Sequence, residues 1–416
     1  LVFDELFRRE SGPLLAALTR LFGVHNLALA EDVVQDAFCR ALEVWPQRRV
    51  PDNPSAWLMA TARNRALDLL RRERTARTYA PELSRLLESE WTLAPVVDEA
   101  FAARVVRDEQ LRMMFSCCHP RLPEEAQVAL ILNILCGFAA PEIAAAFLGG
   151  RAAMEKRIAR GKKVLAGSHR LFDLGARDFE ARLSAVQRAL YLLFNEGYHG
   201  ASSGAVVRTE LCHEAIRLTA LLREHPPAAT PATNALAALM CLQAARLPAR
   251  LDDAGELNPL ALQDRARWDD DLLATGMALL QQSASGDELS AYHLEAGIAA
   301  QHAAAPTPQE TDWPAVVELY DRLMLLQPSP VVALNRAVAL AQRDGPQAGL
   351  EALAALPGRE RLATYPFLPA SAAELELRLG RADAARKHFQ TALRLARNEA
   401  ERRYLEKRLQ ACDGAA

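Results

Sequence analysis

The chain has 416 residues, half of them hydrophobic, and a formal net charge of −3. A chain of this length exceeds one hydrophobic core and predicts two or three domains. No stretch of about 18 residues lacks both charges and helix breakers, so no membrane span is expected. Long runs rich in Ala, Leu, Arg and Glu dominate, and β-branched alternation is almost absent, so we predict an all-α protein.

The seven cysteines are odd in number and include no Cys-x-x-Cys pair, which favours a reducing cytoplasm over a disulfide framework. The chain opens at Leu1 in an amphipathic segment without a signal-peptide pattern, and we expect its N-terminus to be truncated or processed, since natural chains begin with Met. Cys117-Cys118-His119 suggests a metal site, but adjacent cysteines do not easily share one tetrahedral site. We therefore expect cysteines that pack as small apolar residues, with no metal and no cofactor.

Residues 1–79 predict three helices and form the first candidate domain. Residues 2–22 have an amphipathic pattern, with a break expected at Gly12-Pro13. The second helix, Leu29 to Trp45, has one apolar face and leaves three polar side chains elsewhere on its surface: Asp32, Gln35 and Asp36. A loop over residues 46–55 ends in Asn53-Pro54. The third helix carries aromatic, amide and basic side chains: Trp57, Arg63, Asn64, Arg71 and Arg72.

Residues 80–110 hold 3 Lys/Arg and 7 Asp/Glu and are expected to be an acidic linker. Residues 111–170 form the next candidate domain, which contains a short helix from Pro141, a turn at Gly149-Gly150 and a basic second helix. This is the layout of a helix-turn-helix, whose second helix lies in the DNA major groove. Its candidate phosphate- and base-contacting side chains are Arg151, Lys156, Arg157, Arg160 and Lys163. A solvated basic helix end is the alternative.

Residues 171–416 hold 25 Lys/Arg and 31 Asp/Glu, a net charge of −6. Gly345 and Gly380 are 35 residues apart, each between two helical patterns, and small and aromatic residues around Gly380 have the spacing of a tetratricopeptide repeat. Such helix pairs stack and create a concave binding face. A generic helical bundle is the alternative.

An acidic turn in this tail, from Asp252 to Glu256, is followed by Gln263-Asp264-Arg265 and Trp268. Its carboxylates would suit general acid/base catalysis or a metal site, but the spacing matches no calcium loop. A structural turn or a contact surface for the basic modules is preferred. The candidate contact residues are Asp252, Asp253, Gly255, Glu256, Asp264 and Trp268.

Three segments together resemble the extracytoplasmic-function sigma factors of bacterial RNA polymerase. EDVVQDAFCRALEVW (31–45) resembles the helix of region 2 that contacts the clamp helices of polymerase. NPSAWLMATARNRALDLLRRER (53–74) resembles the region 2 helix that melts and recognises the −10 element. RLPEEAQVALILNILCGFAAPEIAAAFLGGRAAMEKRIARGKKVL (121–165) resembles region 4, which recognises the −35 element. The start of the recognition helix departs from the family pattern, because Gly150 stands where relatives usually have a polar capping residue.

The tail also resembles one subgroup, in which a helical-repeat extension is fused to the sigma modules. The matching phrases include FSCCHPRL (115–122), YLLFNEGYHGASSG (191–204) and DDAGELNPLALQDRARWD (252–269). The resemblance implies −35 contacts by the basic helix, −10 contacts by Asn53, Trp57, Arg63, Asn64, Arg71 and Arg72, and polymerase contacts by Asp32, Gln35 and Asp36. It implies core RNA polymerase and promoter DNA as partners and no catalysis.

We expect the tail to contact the sigma modules and to regulate them in cis, and an unknown protein or small ligand of the tail stays open. Two other functions remain possible from the sequence. A DNA-binding helical-repeat regulator would act without polymerase and would not need the Asp32/Gln35/Asp36 face. A cytoplasmic enzyme would have its site between Asp252 and Asp264.

Overall fold

A computed structural model describes residues 2–74, 95, 97–146, 150–167, 176–199, 207–252 and 256–412. In these ranges the regular elements are helices, with one isolated antiparallel bridge between Leu251 and Leu257, so the all-α prediction is confirmed. The chain divides into two compact units, Leu1–Leu192 and Leu193–Ala416. None of the described helices combines the length and apolar character needed to cross a bilayer.

Unit 1 begins with helices α1 (Val2–Phe22), α2 (Leu27–Arg48) and α3 (Pro54–Arg74). The break expected at Gly12-Pro13 is wrong, because α1 continues through both residues. The helix is held by burial on both sides of the proline, and Gly12 lies against the backbone carbonyl of Leu135, where a Cβ atom would collide. Tertiary packing therefore outweighs the missing proline N–H. The residues that follow Pro13 are almost wholly buried: Leu14, Leu15, Ala16, Ala17 and Leu18.

Aromatic contacts join these three helices. Phe7 of α1 packs edge-on against Phe38 of α2 with ring centroids 4.8 Å apart, and Trp45 of α2 packs against Trp57 of α3 at 5.4 Å. Such T-shaped pairs match the positive ring edge to the negative ring face. The α2 helix runs three residues beyond its predicted end at Trp45, and the following residue, Arg49, has a positive φ of 75°.

The rest of unit 1 contains α4 (Ala103–Cys117), α5 (Glu124–Ile134), α6 (Ala140–Ala146), α7 (Arg151–Ala166) and most of α8 (Ala176–His199). Helix α4 begins inside the segment expected to be a linker. Helix α5 is buried on nearly every side, so it forms the centre of this half. Two ion pairs join α1 to the helices around α5: Arg20 pairs with Glu109 of α4, and Arg8 pairs with Glu142 of α6 at 2.7 Å.

Unit 2 continues from the end of α8 with further helices, most of which pack on the next helix along the chain. Their bounds are α9 (Thr209–Glu224), α10 (Pro231–Ala244), α11 (Leu247–Arg250), α12 (Asp270–Ser283), α13 (Ala291–Ala304), α14 (Trp313–Leu326), α15 (Pro330–Arg343), α16 (Pro346–Ala354), α17 (Phe367–Arg378), α18 (Ala382–Leu395) and α19 (Glu399–Ala411).

The turns of unit 2 follow from local chemistry. Asp312 and Asn398 cap α14 and α19 by accepting backbone N–H bonds. Gly345 comes directly before α16, and Gly380 lies between α17 and α18. Their φ angles of 97° and 72° are ones that residues other than glycine rarely adopt. Four residues that the sequence pattern selected are wholly buried in one cluster: Ala373, Ala385, Phe389 and Ala392. The assignment of these pairs as tetratricopeptide repeats stays a prediction.

Candidate nucleic-acid interface

Helix α7 presents one face to the protein and the opposite face to solvent. Its buried residues are Met154, Ile158, Gly161 and Leu165, which follow helical periodicity. Gly161 allows α7 to approach α5 closely, since a Cβ atom there would lie 2.8 Å from Leu130 Cδ1. The helix is thus held tightly along one side, and its outer side chains are positioned by a packed element.

Three cations line the outer side of α7 at spacings of four and three residues: Lys156, Arg160 and Lys163. All three are exposed, and none has an ion-pair partner among the residues that the structure describes. Side chains at i, i+4 and i+7 share one face of a helix, so the three charges form a continuous row, which we call the basic stripe. This row matches what phosphate contacts along a groove require.

The other cations of α7 are engaged by carboxylates. Arg157 lies 2.9 Å from Glu125 of α5, and Arg151 lies 2.8 Å from Glu155 one turn later. Lys162 pairs with Glu31 of α2 at 2.5 Å. Arg151 and Arg157, which the sequence grouped with the basic stripe, are therefore partly neutralised. Charge counting along one helix could not separate them, because the partner of Arg157 lies on another helix.

The start of α7 lacks a side-chain cap. Gly150 occupies the N-cap position and offers no side-chain acceptor to the first N–H groups. Those N–H groups and the helix dipole favour an anion at this end. Gly149 of the predicted turn lies outside the described residues.

The residues predicted to recognise the −10 element lie on or next to α3. Asn53 caps the helix, with its Oδ1 accepting from Ala56 N–H at 3.0 Å. Trp57 is half-buried against Trp45, so it serves at least partly as a packing residue. Arg63 pairs with Asp98, while Asn64 is exposed. The side chains of Arg71 and Arg72 lie outside the described residues.

The partner of Arg63 was not identified from the sequence. Asp98 belongs to the segment expected to be an acidic linker, and its carboxylate accepts from the Arg63 Nε–H. An acidic residue in a segment next to a basic helix is the only sequence pattern that pointed to it. The Asp98 carboxylate thus occupies a guanidinium that is predicted to contact DNA.

The three residues predicted to contact polymerase share the exposed side of α2. Asp32, Gln35 and Asp36 are exposed, and the opposite side of the helix is buried. Asp36 accepts from Arg65 Nε–H of α3 at 3.0 Å, with both side chains largely in solvent. The acidic face is therefore accessible, and one of its carboxylates also bridges two helices.

The predicted contact residues of the tail have partners within unit 2. The Asp252 side chain accepts from Glu256 N–H at 2.8 Å, which closes the turn, and Glu256 lies 3.5 Å from Lys407 of α19. Asp264 caps a short 3₁₀ helix by accepting from Ala266 N–H. Trp268 is 5% exposed. Asp253 and Gly255 lie outside the described residues, and the contact with the sigma modules stays a prediction.

The cysteine and acidic motifs do not assemble into a metal centre in the part of the chain that the structure covers. Cys117 and Cys118 are buried, and burial raises the pKa of the Cys117 thiol to about 12. A thiol with such a pKa stays protonated at neutral pH and packs as an apolar group. The carboxylates of Asp252 and Asp264 are used in turn and cap hydrogen bonds, which suits structural roles.

Comparison with known families and proteins agrees with this arrangement. Residues 6–76 match the sigma-70 region 2 family, and residues 182–284 match a family of unknown function, DUF6596. The chain is 40% identical to the uncharacterized protein R00370 of Rhizobium meliloti (strain 1021) over 398 residues, which is 95% of this chain and 92% of that protein. With a sigma-70 region 2 domain at its N-terminus and a DUF6596 region in its tail, the chain belongs to the extracytoplasmic-function sigma factors that carry a C-terminal extension.

Proposed function

We propose that this protein binds core RNA polymerase and directs promoter-specific transcription initiation, with its C-terminal extension regulating it in cis. The observation that carries the proposal is the basic stripe of α7, in a chain whose N-terminal residues match sigma-70 region 2. Family membership supports a transcription factor that works on DNA together with polymerase. The assignment of roles to individual residues rests on the geometry of unit 1.

The basic stripe supports recognition of the −35 element by α7. A helix that is buried along one side and cationic along the other can enter the major groove without losing its packing. Lys156, Arg160 and Lys163 have no carboxylate to give up before they meet DNA, as far as the described residues extend. Arg151 and Arg157 must exchange a carboxylate for a phosphate, so their net contribution to binding is smaller.

Helix α3 is proposed to bind and melt the −10 element. Single-stranded DNA is held by cationic side chains and by aromatic faces that stack on unpaired bases. Arg63 and Asn64 supply a charge and an amide on adjacent positions, and Trp57 is only half-buried. The Arg63–Asp98 pair lets DNA phosphate compete with a carboxylate for the same guanidinium. Melting is thereby coupled to release of the segment that contains Asp98.

The acidic face of α2 is proposed to contact core polymerase. Asp32, Gln35 and Asp36 project from a helix whose other side is fixed in the core, so a partner can meet them without unfolding. Acidic side chains on a module with basic helices suit a basic partner surface. A DNA-binding regulator that acts without polymerase does not need this face.

Regulation by the tail is proposed from its charge and its family match. The tail from residue 171 carries a net charge of −6, whereas residues 1–170 carry a net charge of +3. Opposite charges favour an electrostatic contact that a partner or ligand can shift toward one arrangement. We propose that the tail supports activity, and that the protein works in the cytoplasm, where polymerase acts.

Run-off transcription with purified core polymerase tests the proposal. The full chain is compared with a variant truncated after Leu192 and with a Gln35→Lys/Asp36→Lys variant, on promoter DNA selected by the holoenzyme. We expect initiation with the full chain, weaker initiation without the tail, and none with the double lysine variant. A chain that binds promoter DNA but never associates with polymerase would instead be a conventional regulator.

A further inference from the structure

Three arginines of unit 2 lie beside two aromatic rings close to the end of α8. The Arg250 guanidinium carbon is 4.0 Å from the Tyr198 ring centroid, and that of Arg246 is 5.7 Å from the same ring. The Arg265 guanidinium lies over Trp268 at 5.0 Å. A backbone hydrogen bond joins the segment of Arg246 to the segment of Trp268, since Asp269 N–H donates to Ala245 O at 2.9 Å. We call Arg246, Arg250 and Arg265 the arginine cluster.

The arginine cluster is hydrogen-bonded to neutral groups. Arg246 donates to the Gln243 amide oxygen, and Arg250 donates to the Tyr198 carbonyl at 3.0 Å. Arg265 donates to the carbonyls of His302 and Ala305. Within the described ranges, no carboxylate lies within ion-pair distance of these three arginines, although Glu310 acts on Arg265 from farther away. Among the described residues, no carboxylate therefore forms an ion pair with the cluster, and Glu310 offsets its positive charge only from a distance.

Several other buried or half-buried arginines of unit 2 have carboxylate partners. Arg208 pairs with the buried Glu196, Arg397 pairs with Glu401 at 2.5 Å, and Arg408 pairs with Glu374. This is the usual arrangement, because a buried charge is costly unless it is paired and hydrogen-bonded. The arginine cluster departs from that rule within the same domain. A departure of this kind is expected where a binding site keeps charges for a ligand.

Three N–H donors in and beside the arginine cluster also lack hydrogen-bond partners among the described residues. Arg246 is 8% exposed and Trp268 is 5% exposed, yet the Nε–H of Arg246 and the indole N–H of Trp268 have no acceptor among the described residues. The Nε–H of Arg265 also has none. These three groups are donors and offer no lone pair. A ligand that satisfies any of them must therefore supply acceptor atoms.

The electrostatic field of the cluster acts on its neighbours. Burial, together with repulsion from the nearby Arg246 and Arg265, lowers the pKa of His302 to about 4. Burial, followed by repulsion from Arg246, likewise lowers the pKa of the Arg265 guanidinium. The repulsion that acts on both His302 and Arg265 indicates a strongly positive electrostatic potential at the cluster.

We propose that the arginine cluster binds the phosphate group of a small ligand. A phosphate monoester carries close to two negative charges at neutral pH and several acceptor oxygens, and guanidinium forks bind it with paired hydrogen bonds. A monocarboxylate would neutralise less of the cluster and has fewer acceptor positions. The exposed remainder of Arg250 and Arg265 gives the group a route from solvent.

The test uses the full chain and inorganic phosphate as the probe, with sodium chloride at equal ionic strength as the reference. Thermal unfolding and isothermal titration calorimetry are measured for the natural chain and for Arg246→Gln and Arg250→Gln. Arg361→Gln is the matched control, since Arg361 is an exposed arginine of the same unit. Far-UV circular dichroism checks that each variant is folded.

We expect saturable binding of phosphate that raises Tm, at least tenfold weaker binding in both cluster variants, and unchanged binding in Arg361→Gln. Removing one of three repelling charges should leave the Tm in chloride unchanged or higher. Absence of saturable binding, equal weakening in the control, or cluster variants that lose Tm in chloride but keep phosphate binding would each overturn the proposal. Glycerol 3-phosphate distinguishes an organic phosphate from free phosphate by its affinity, and tighter binding of succinate than of either would assign a dicarboxylate instead. Neither promoter nor polymerase is used, so the result is independent of the sigma-factor proposal.

Discussion

Glu31 of α2 and Lys162 of α7 form an ion pair at 2.5 Å, which joins the helix proposed to contact polymerase to the helix proposed to contact the −35 element. Each side chain is 27% exposed, so the pair is partly shielded from solvent. Lys162 is thereby directed toward the protein, one residue away from Lys163 of the basic stripe. Adjacent positions on a helix point about 100° apart, which explains how Lys162 is paired while Lys163 has no ion-pair partner among the described residues.

The first prediction concerns the basic stripe. Lys156→Ala, Arg160→Ala and Lys163→Ala should each weaken DNA binding, and each lost phosphate contact should lower the slope of log K against log salt by about one. Fluorescence anisotropy over a salt series measures this slope. Arg188→Ala is the control: it removes a cation of α8 that is paired with Glu124 of α5, and it should leave the slope unchanged. Equal slopes for all four variants would contradict a contact between α7 and DNA.

A second prediction concerns melting. Arg63→Ala/Asn64→Ala should associate with polymerase but fail to open the −10 region, because the charge and amide proposed to hold the single strand are gone. Asp98→Asn should open DNA at least as well as the natural chain, since it releases Arg63 from its carboxylate. Permanganate footprinting measures both. Normal opening by the double alanine variant would contradict the role of α3.

The third prediction separates binding from folding on α2. Gln35→Lys/Asp36→Lys should abolish holoenzyme formation, measured by gel filtration with core polymerase, because it reverses the charge of the proposed contact face. The Asp36–Arg65 pair is exposed, so its loss should cost at most about 1 kcal/mol of unfolding free energy. Glu43→Lys changes an exposed charge on the same helix as a control. A large loss of Tm in the double variant would indicate a structural role instead.

The fourth prediction concerns the acidic turn of the tail. Glu256→Lys removes the ion pair with Lys407 and reverses one charge of the proposed regulatory surface. We expect lower transcription in vitro than with the natural chain, and a similar defect when Asp253, Gly255 and Glu256 are replaced together. Lys407→Glu/Glu256→Lys restores the ion pair with reversed signs. It therefore shows whether the defect comes from loss of the pair or from loss of the negative charge at position 256. Full transcription by every variant, and by the chain truncated after Leu192, would show that the tail neither activates nor inhibits.

The fifth prediction is a pH dependence centred on His302. Its folded pKa of about 4 lies below the unfolded value near 6.5, so the unfolded chain binds the proton more readily. The stability linked to this group is fully present above pH 6.5 and is lost as the pH falls toward 4. Urea unfolding at pH 7 and pH 5 should therefore show a smaller loss in His302→Asn than in the natural chain. Equal losses would mean that other groups dominate acid destabilisation.

Much of the helical architecture was accessible from local patterns. The apolar period of α2 predicted that Asp32, Gln35 and Asp36 would lie outside the core, and helix geometry alone requires this. The glycine turns at Gly345 and Gly380 followed from the positive φ that such turns adopt. The break at Gly12-Pro13 was wrong, because local propensity is weaker than burial of a helix on several sides.

The fold class, the family and the residue types on each helix could all be predicted from the sequence, since they depend on periodicity and on neighbouring positions. Which charges have partners follows instead from the packing of the folded chain. It brought Glu125 to Arg157, Glu31 to Lys162 and Asp98 to Arg63, and it gathered the arginine cluster around Tyr198 and Trp268 without a carboxylate in ion-pair range among the described residues. Electrostatic interactions act through space and depend on distance and burial, so residues far apart in sequence determine whether a cation is neutralised or left for a ligand.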